Sequence, residues 1–145
     1  MKVSAANDQH VVGREIDLLP DQCAFCRLAP DAPTPHWATL GAFASITRTP
    51  SELSVVCPSG QVPSGTLASG PWRALRLRGP LDAKLVGVML SVAAPLAAVG
   101  VSIMPIATFD TDYILVRETQ LDQALAALRS AGHLVHDITT LEELA

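Results

Sequence analysis

The chain has 145 residues, which is enough for one ordinary domain or two small ones. Hydrophobic residues make up 49% of it, so a core can form and global disorder is excluded, while the 4% of aromatic residues indicates a mainly aliphatic core. The formal net charge of −4, without a basic patch interleaved with aromatic side chains, argues against a nucleic-acid-binding surface.

The first half of the chain predicts extended segments and little helix. Apolar β-formers bounded by turn residues predict strands, whereas the proline-rich stretch 30–35 cannot continue a strand ladder. In chain order we expect strands at 15–19 and 22–28 separated by Pro20-Asp21, one helical turn at 36–39, strands at 41–47 and 53–57, and a loop at 59–70.

Three cysteines lie in this half, and two of them form the pattern Cys23-Ala24-Phe25-Cys26. On a strand, residues three apart point to opposite faces, so this pair is poorly placed for a disulfide or a shared metal. We therefore expect Cys23, Cys26 and Cys57 to be buried structural thiols, with a redox or metal role as the alternative. No metal site is predicted, since the histidines lack ligand spacing with a third group.

The second half begins with a predicted strand at 72–78, in which Arg73, Arg76 and Arg78 form what we expect to be a solvated face. Apolar residues then repeat at helical spacing from Leu85 to Val99, and Gly100 ends the predicted helix. The stretch 85–109 carries no charge and is long enough to span a bilayer. Because prolines and Gly100 interrupt it, two buried elements explain it better than a transmembrane helix.

The densest signal is the run 101–118, where two apolar, β-branched segments flank the polar tip Asp110-Thr111-Asp112. This pattern predicts a hairpin in a sheet covered on at least one face. A helix follows, opened by a Thr119-based capping box and closed by Gly132, and then a short strand at 133–138. The order strand, helix, strand, strand, helix, strand is that of the ferredoxin-like α+β fold.

The N-terminal stretch MKVSAANDQH lacks an apolar signal-peptide core, so a cytoplasmic protein is expected. The middle hairpin of the first half weakly mirrors the hairpin of the second half. We therefore predict two tandem units, a degenerate one at 1–70 with reduced helices and a complete one at 71–145.

These residues resemble the ACT domain, a small-molecule-binding module, and most closely the subgroup of the CASTOR arginine sensors and of short bacterial ACT proteins. The resemblance is carried by Gly79-Pro80-Leu81-Asp82, by Gly87 and by the run Thr108-Phe109-Asp110-Thr111-Asp112-Tyr113-Ile114-Leu115-Val116-Arg117, and it extends over 72–132. The segment 37–57 is similar to the first half of the same bacterial proteins. The resemblance implies two ACT units in tandem.

In this family an amino acid binds between two ACT units, against the loop before a helix and the tip of the central hairpin. The resemblance therefore implies eight ligand-binding residues: Asp82, Leu85, Val86, Gly87, Thr108, Phe109, Asp110 and Asp112. Leu85 departs from the arginine sensors, which carry an acid there, and a guanidinium would lose one carboxylate partner. Structural roles stay open for Asp82 as a helix cap, for Asp110 as a turn residue and for Phe109 as core.

The chemistry of these positions suits a zwitterion. Open N–H groups at a helix N-terminus bind a carboxylate, and a carboxylate at the hairpin tip binds an ammonium group. We therefore expect a non-catalytic amino-acid sensor, a homodimer that acts on a regulated partner protein without a cofactor, a nucleic acid or a membrane. The alternative is a ligand-free module for homo-oligomerisation or protein interaction. No nucleophile–base pair, phosphate loop or metal cluster favours an enzyme.

Overall fold

The computed structural model describes residues 13–82 and 84–144. It contains seven strands, which are β1 (Glu15–Leu28), β2 (Ser45–Arg48), β3 (Leu53–Pro58), β4 (Ala68–Leu77), β5 (Ile103–Ala107), β6 (Asp112–Arg117) and β7 (Leu134–Asp137). Two α-helices, α1 (Val88–Ala98) and α2 (Leu121–Ser130), lie in the second half, and short 3-10 turns include His36–Thr39. The stretch 1–10, on which the expectation of no signal peptide rests, lies outside the described residues.

The strands form one sheet in the order β2-β3-β1-β4-β6-β5, with antiparallel neighbours throughout this path. The second half has the predicted order of elements, and the α+β, ferredoxin-like fold class is confirmed. The last strand, β7, pairs in parallel with the first residues of β1, so that Ile16 lies opposite Val135. Strand β1 therefore separates β7 from β4, and the sheet runs without a break through both halves of the chain. The division at residue 70 stays a prediction.

One face of the sheet is covered by both helices. Each helix buries two side chains completely against strand residues such as Leu75. These are Val92 and Leu96 of α1 and Ala124 and Leu128 of α2. Removing such side chains from water supplies the main driving force for folding. The helix spacing of the sequence is thus confirmed for Val88, Val92 and Leu96, which face the sheet.

A second buried cluster lies on the opposite face and a third in the first half of the chain. Cys23 belongs to the cluster around Trp72, Ala74 and Leu115, whereas Cys26 and Cys57 pack in the other one. The prediction that the two cysteines of the C-x-x-C pattern point to opposite faces is therefore confirmed, and all three thiols are buried and free. Burial raises the pKa of Cys23 to about 12 and that of Cys57 to about 11.

The expected solvated arginine face was wrong for Arg73 and Arg76, whose side chains are 16% and 19% exposed, whereas the Arg78 side chain is 39% exposed. The Asp17 carboxylate has no exposed surface and accepts hydrogen bonds from Arg76 Nη2 at 2.8 Å and Arg78 Nε at 3.0 Å. Arg73 donates to the Leu19 carbonyl at 2.9 Å. These contacts join the first half of the chain to the second, because Asp17 lies in β1 and the arginines lie in or just after β4.

Several element boundaries differ from the predictions. Strand β2 covers Ser45–Arg48 instead of 41–47, and β4 begins at Ala68, inside the stretch 59–70 that was expected to be a loop. Strand β1 is continuous through Pro20, with an irregularity in its pairing to β4 between Leu18 and Gln22, where two strands had been expected. Helix α1 begins at Val88 instead of at Leu85. Helix α2 begins after a 3-10 turn, and no side chain caps its N-terminus, so the predicted capping box was wrong.

No helix in the described part of the chain combines the length and the apolar character that crossing a membrane requires.

Candidate functional site

A groove of about 260 Å³ lies between the hairpin tip and the segment that leads into α1. One wall is formed by Leu81, Asp82, Leu85 and the first residue of α1, and the other by the β5–β6 turn. Its lining residues are Leu81, Asp82, Leu85, Val88, Thr108, Phe109, Asp110, Thr111 and Asp112. Two segments more than twenty residues apart in the sequence thus share one cavity.

The structure brings six of the eight candidate residues to this groove, namely Asp82, Leu85, Thr108, Phe109, Asp110 and Asp112. Val86 and Gly87 do not line it, and 71% of the Val86 surface is exposed. That these residues bind a ligand stays a prediction.

The hairpin tip is held by hydrogen bonds that its sequence supplies. Thr108 and Thr111 close the turn, because the Thr108 amide and hydroxyl both donate to the Thr111 carbonyl at 2.8 Å. The Thr111 hydroxyl donates to the carbonyl of Leu77 at the end of β4. The Thr108 hydroxyl is therefore used within the turn, and Thr111, which was not among the candidate residues, anchors the tip to the sheet.

The preceding loop packs directly against this tip. The Leu81 amide donates to the Asp110 carbonyl at 2.8 Å. A side chain at Gly79 would place its Cβ 3.0 Å from that same oxygen, which real Cβ contacts rarely allow. Glycine at this position lets the loop approach the hairpin closely. The two walls of the groove are thus fixed to each other.

The entry to α1 leaves its first amides without side-chain partners. Gly87 stands at the N-cap with a φ of 78°, a left-handed conformation that favours glycine, and no side chain caps the helix. Asp82 had an open role as a helix cap, but its Oδ1 accepts from the Lys84 amide at 2.9 Å and so stabilises the loop instead. The helix N-terminus next to the groove can therefore accept an anionic group.

The groove is both acidic and apolar. Asp82, Asp110 and Asp112 contribute carboxylates, while Leu81, Leu85, Val88 and Phe109 contribute apolar surface. The Phe109 ring is fully exposed and therefore belongs to no core. Among the described residues, none of the three aspartates takes part in a salt bridge. These side chains are free to contact a small molecule.

Two larger cavities, of about 600 Å³ each, lie elsewhere on the molecule. One lies between the edge strands β2 and β5 and is lined by residues such as Ile46 and Ile106. The other lies behind the hairpin tip, where Arg76 and Arg78 line it together with Tyr113 and Glu143. Both arginines already bind Asp17, so their charge is largely compensated. The groove at α1 remains the better candidate, because it combines free carboxylates with an open helix N-terminus.

Within the described residues, no group of three or more His, Cys, Asp and Glu side chains is placed to hold a metal ion. Burial raises the pKa of Cys23 and Cys57 and so disfavours the reactive thiolate, and neither thiol lines the groove.

The sheet, the two helices on one of its faces and the order of elements in the second half define a ferredoxin-like α+β domain. Residues 68–130 match the model of the ACT domain, and a model of a separate N-terminal domain matches residues 21–65. The chain therefore contains an ACT domain at residues 68–130.

The chain is 33% identical to a protein of Agrobacterium tumefaciens with a known crystal structure, at a TM-score of 0.83 over 89% of this chain and 96% of the other. The regulatory subunit of aspartate kinase from Thermus thermophilus shares the fold, with 16% identity, a TM-score of 0.53 and coverage of 77% and 93%. The cytosolic arginine sensor for mTORC1 subunit 1 of Rattus norvegicus is 35% identical over 81 residues. That alignment covers 55% of this chain and only 22% of the rat protein.

Proposed function

We propose that this protein is a non-catalytic regulatory sensor that binds a free amino acid in the groove between the hairpin tip and α1. The observation that carries the proposal is the meeting of an uncapped helix N-terminus and free carboxylates at one small cavity. A free amino acid carries a carboxylate, which the helix amides can bind, and an ammonium group, which an aspartate carboxylate can bind. Both of its charged groups therefore have a partner in this groove.

The orientation of the ligand follows from the two walls. The α-carboxylate lies at the first amides of α1, at Val88 and the residues after it, where the helix dipole favours negative charge. The ammonium group lies at Asp112, and Asp110 lies beside it on the hairpin tip. Leu85 and the exposed Phe109 ring cover the apolar part of the ligand. A volume of about 260 Å³ suits one amino acid.

The similarities of the chain support a regulatory role. The related proteins include an arginine sensor and the regulatory subunit of an aspartate kinase. Arginine itself is not singled out as the ligand, because Leu85 occupies the position where the arginine sensors carry an acid. The ligand is one of the amino acids, and the output passes to a partner protein in the cytoplasm.

A homodimer is part of the proposal. The outer face of α1 exposes Leu90, Ala94, Ala97 and Ala98 and carries no charge, whereas the outer face of α2 carries Asp122 and Arg129. A second copy can pack its own uncharged face against it without charge repulsion. This face adjoins the groove, because α1 begins at the groove wall.

The same surface favours a second candidate function, a module that associates with other proteins and binds no ligand. The sequence units 1–70 and 71–145 would then serve only to build the interface. The two functions differ in what Asp112 does, since only the sensor needs its carboxylate.

Thermal unfolding in the presence of each common amino acid tests the proposal. At a hundredfold excess over its Kd, a ligand stabilises the fold by about 2.7 kcal/mol. We expect at least one amino acid to raise the midpoint, and Asp112→Asn to abolish the rise. Asp31→Asn, which alters an exposed turn away from the groove, is the control. If no amino acid stabilises the protein while dilution reveals a dimer-to-monomer transition, the interaction module is the correct function.

A further inference from the structure

The charge of the groove restricts the side chain that a bound amino acid can carry. Three carboxylates line it, and no lysine, arginine or histidine does. The α-carboxylate and the ammonium of a bound amino acid cancel each other, so the ligand backbone leaves the excess of negative charge in place. A ligand side chain in the groove therefore meets a negative field.

No cationic side chain of the described residues lines the groove itself. Lys84 follows Asp82 in the loop, but its side chain is exposed and does not line the groove. Arg76 and Arg78 lie behind the hairpin tip, where Asp17 lies within 2.9 Å of both and Glu15 lies 3.5 Å from Arg78. Both guanidinium groups line the cavity behind the tip, which Asp110 also lines, and both pair there with Asp17. Neither lines the groove.

The three carboxylates also keep acceptor capacity for a ligand. Asp82 uses one oxygen for the Lys84 amide. The side chains of Asp110 and Asp112 make no hydrogen bond among the described residues, although the main chain of Asp110 holds Leu81. A cationic or neutral group on the ligand side chain can donate a hydrogen bond to these aspartates. A carboxylate on the ligand side chain meets only other hydrogen-bond acceptors among them.

We infer that the groove selects its ligand by charge, admitting amino acids with neutral or cationic side chains and excluding aspartate and glutamate. The inference rests on the proposed function, since it concerns the ligand of the same site. The apolar walls at Leu81, Leu85 and Phe109 favour ligands whose side chain has an aliphatic portion.

Glutamate and glutamine provide the sharpest test, because they have nearly the same shape and differ in charge. Titration calorimetry or thermal shift measures both, together with aspartate and asparagine. We expect glutamine to bind at least about tenfold more tightly than glutamate, which corresponds to one close like-charge repulsion in partly screened surroundings. The ratio should shrink in about 1 M salt, where the screening length is about 3 Å.

Variants assign the discrimination to the named carboxylates. The double variant Asp82→Asn with Asp110→Asn removes two charges, keeps the side-chain shapes and leaves Asp112 for the ligand ammonium. It should bind glutamate more tightly and bring the two affinities closer together, whereas Asp31→Asn should keep the wild-type ratio.

The outcomes separate the inference from the proposed function. Glutamate binding as tightly as glutamine, or a ratio unchanged in the double variant, overturns the charge selection while the sensor function stands. Absence of binding by every amino acid overturns the proposed function, and the inference with it.

Discussion

Removing the charge of the Asp17 carboxylate should lower the free energy of unfolding strongly, although it changes only one atom of the side chain. The Asp17 side chain has no exposed surface, and its two oxygens receive hydrogen bonds from Arg76 at 2.8 and 3.2 Å and from Arg78 at 3.0 and 3.2 Å. Asp17→Asn keeps the shape but removes the charge, so that two guanidinium groups lose their counterion.

Breaking a buried ion pair by removing one partner costs about 3–5 kcal/mol. The lower end applies here, because the Arg78 side chain is 39% exposed and can turn to water, while the Arg76 side chain is 19% exposed and keeps only the Leu144 carbonyl at 2.9 Å. We therefore expect a loss of about 3 kcal/mol in the free energy of unfolding. For a chain of this size that lowers the melting temperature by about 10 °C.

Urea unfolding followed by circular dichroism measures the loss in free energy, and thermal unfolding measures the change in melting temperature. Glu15→Gln is the matched control in both. Glu15 lies 3.5 Å from Arg78, but its side chain is half exposed, so its variant should shift the melting temperature by no more than about 2 °C. A loss below about 1 kcal/mol for Asp17→Asn would refute the claim that this ion pair stabilises the packing of the two halves of the chain against each other.

Three further predictions follow from burial, backbone conformation and pKa. Leu96→Ala should lower the free energy of unfolding by about 2–5 kcal/mol, because the side chain is fully buried in the helix–sheet core. Leu90→Ala, on the exposed face of the same helix, should lower it by under about 0.5 kcal/mol at dilutions where the protein is monomeric. Similar losses for the two variants would contradict the described orientation of α1. Gly87→Ala should lower the free energy of unfolding by about 1–2 kcal/mol, because the φ of 78° at this position is unfavourable for alanine. The same variant should weaken amino-acid binding. Unchanged stability in a denaturant titration would show that the chain enters α1 in a different conformation. The folded pKa values of about 12 for Cys23 and about 11 for Cys57 exceed the ordinary value of 9.0, so the unfolded chain releases these protons first. Stability should therefore be intact below pH 9 and should fall by about 1.4 kcal/mol per pH unit for each thiol as the pH rises toward its folded pKa, about 11 for Cys57 and about 12 for Cys23. Iodoacetamide should label neither thiol at pH 8 without unfolding, and rapid labelling would refute their burial.

The elements with strong local patterns were predictable from the sequence. The β5–β6 hairpin, the buried positions of α1 and the closing strand β7 all lie where periodicity and turn residues placed them. Each of these patterns depends on neighbours within a few residues, because side-chain direction repeats with the secondary structure. The opposite placement of Cys23 and Cys26 followed from the same rule.

Long-range pairing was not predictable in this way. Nothing near Ile16 indicates that its strand lies between β4 and β7, since Ile16 pairs with Leu77, 61 positions away, and with Val135, 119 positions away. The alternating arginines indicated a solvated face, because an alternating pattern does not reveal a buried carboxylate on the neighbouring strand. Strand β1 passes through Pro20 where its pairing is irregular, which local propensity does not foresee.

Six of the eight candidate residues meet at one groove, and the details around them differ from the sequence pattern. Leu85 fits the helical spacing, yet Gly87 adopts a left-handed conformation and delays the helix to Val88. Val86 is largely exposed and does not line the groove. Thr111 was missed because a threonine in a turn is ordinary, and its contact with the Leu77 carbonyl is visible only in the folded chain.

The central claim, that a free amino acid binds between the hairpin tip and the start of α1, is tested most directly by an NMR titration of isotope-labelled protein. On adding an amino acid that stabilises the fold, the amide resonances of 81–89 and 108–112 should shift together with one saturable affinity, and Asp112→Asn should abolish these shifts. Saturable shifts confined to other parts of the chain, or none with any amino acid at millimolar concentration, would contradict it.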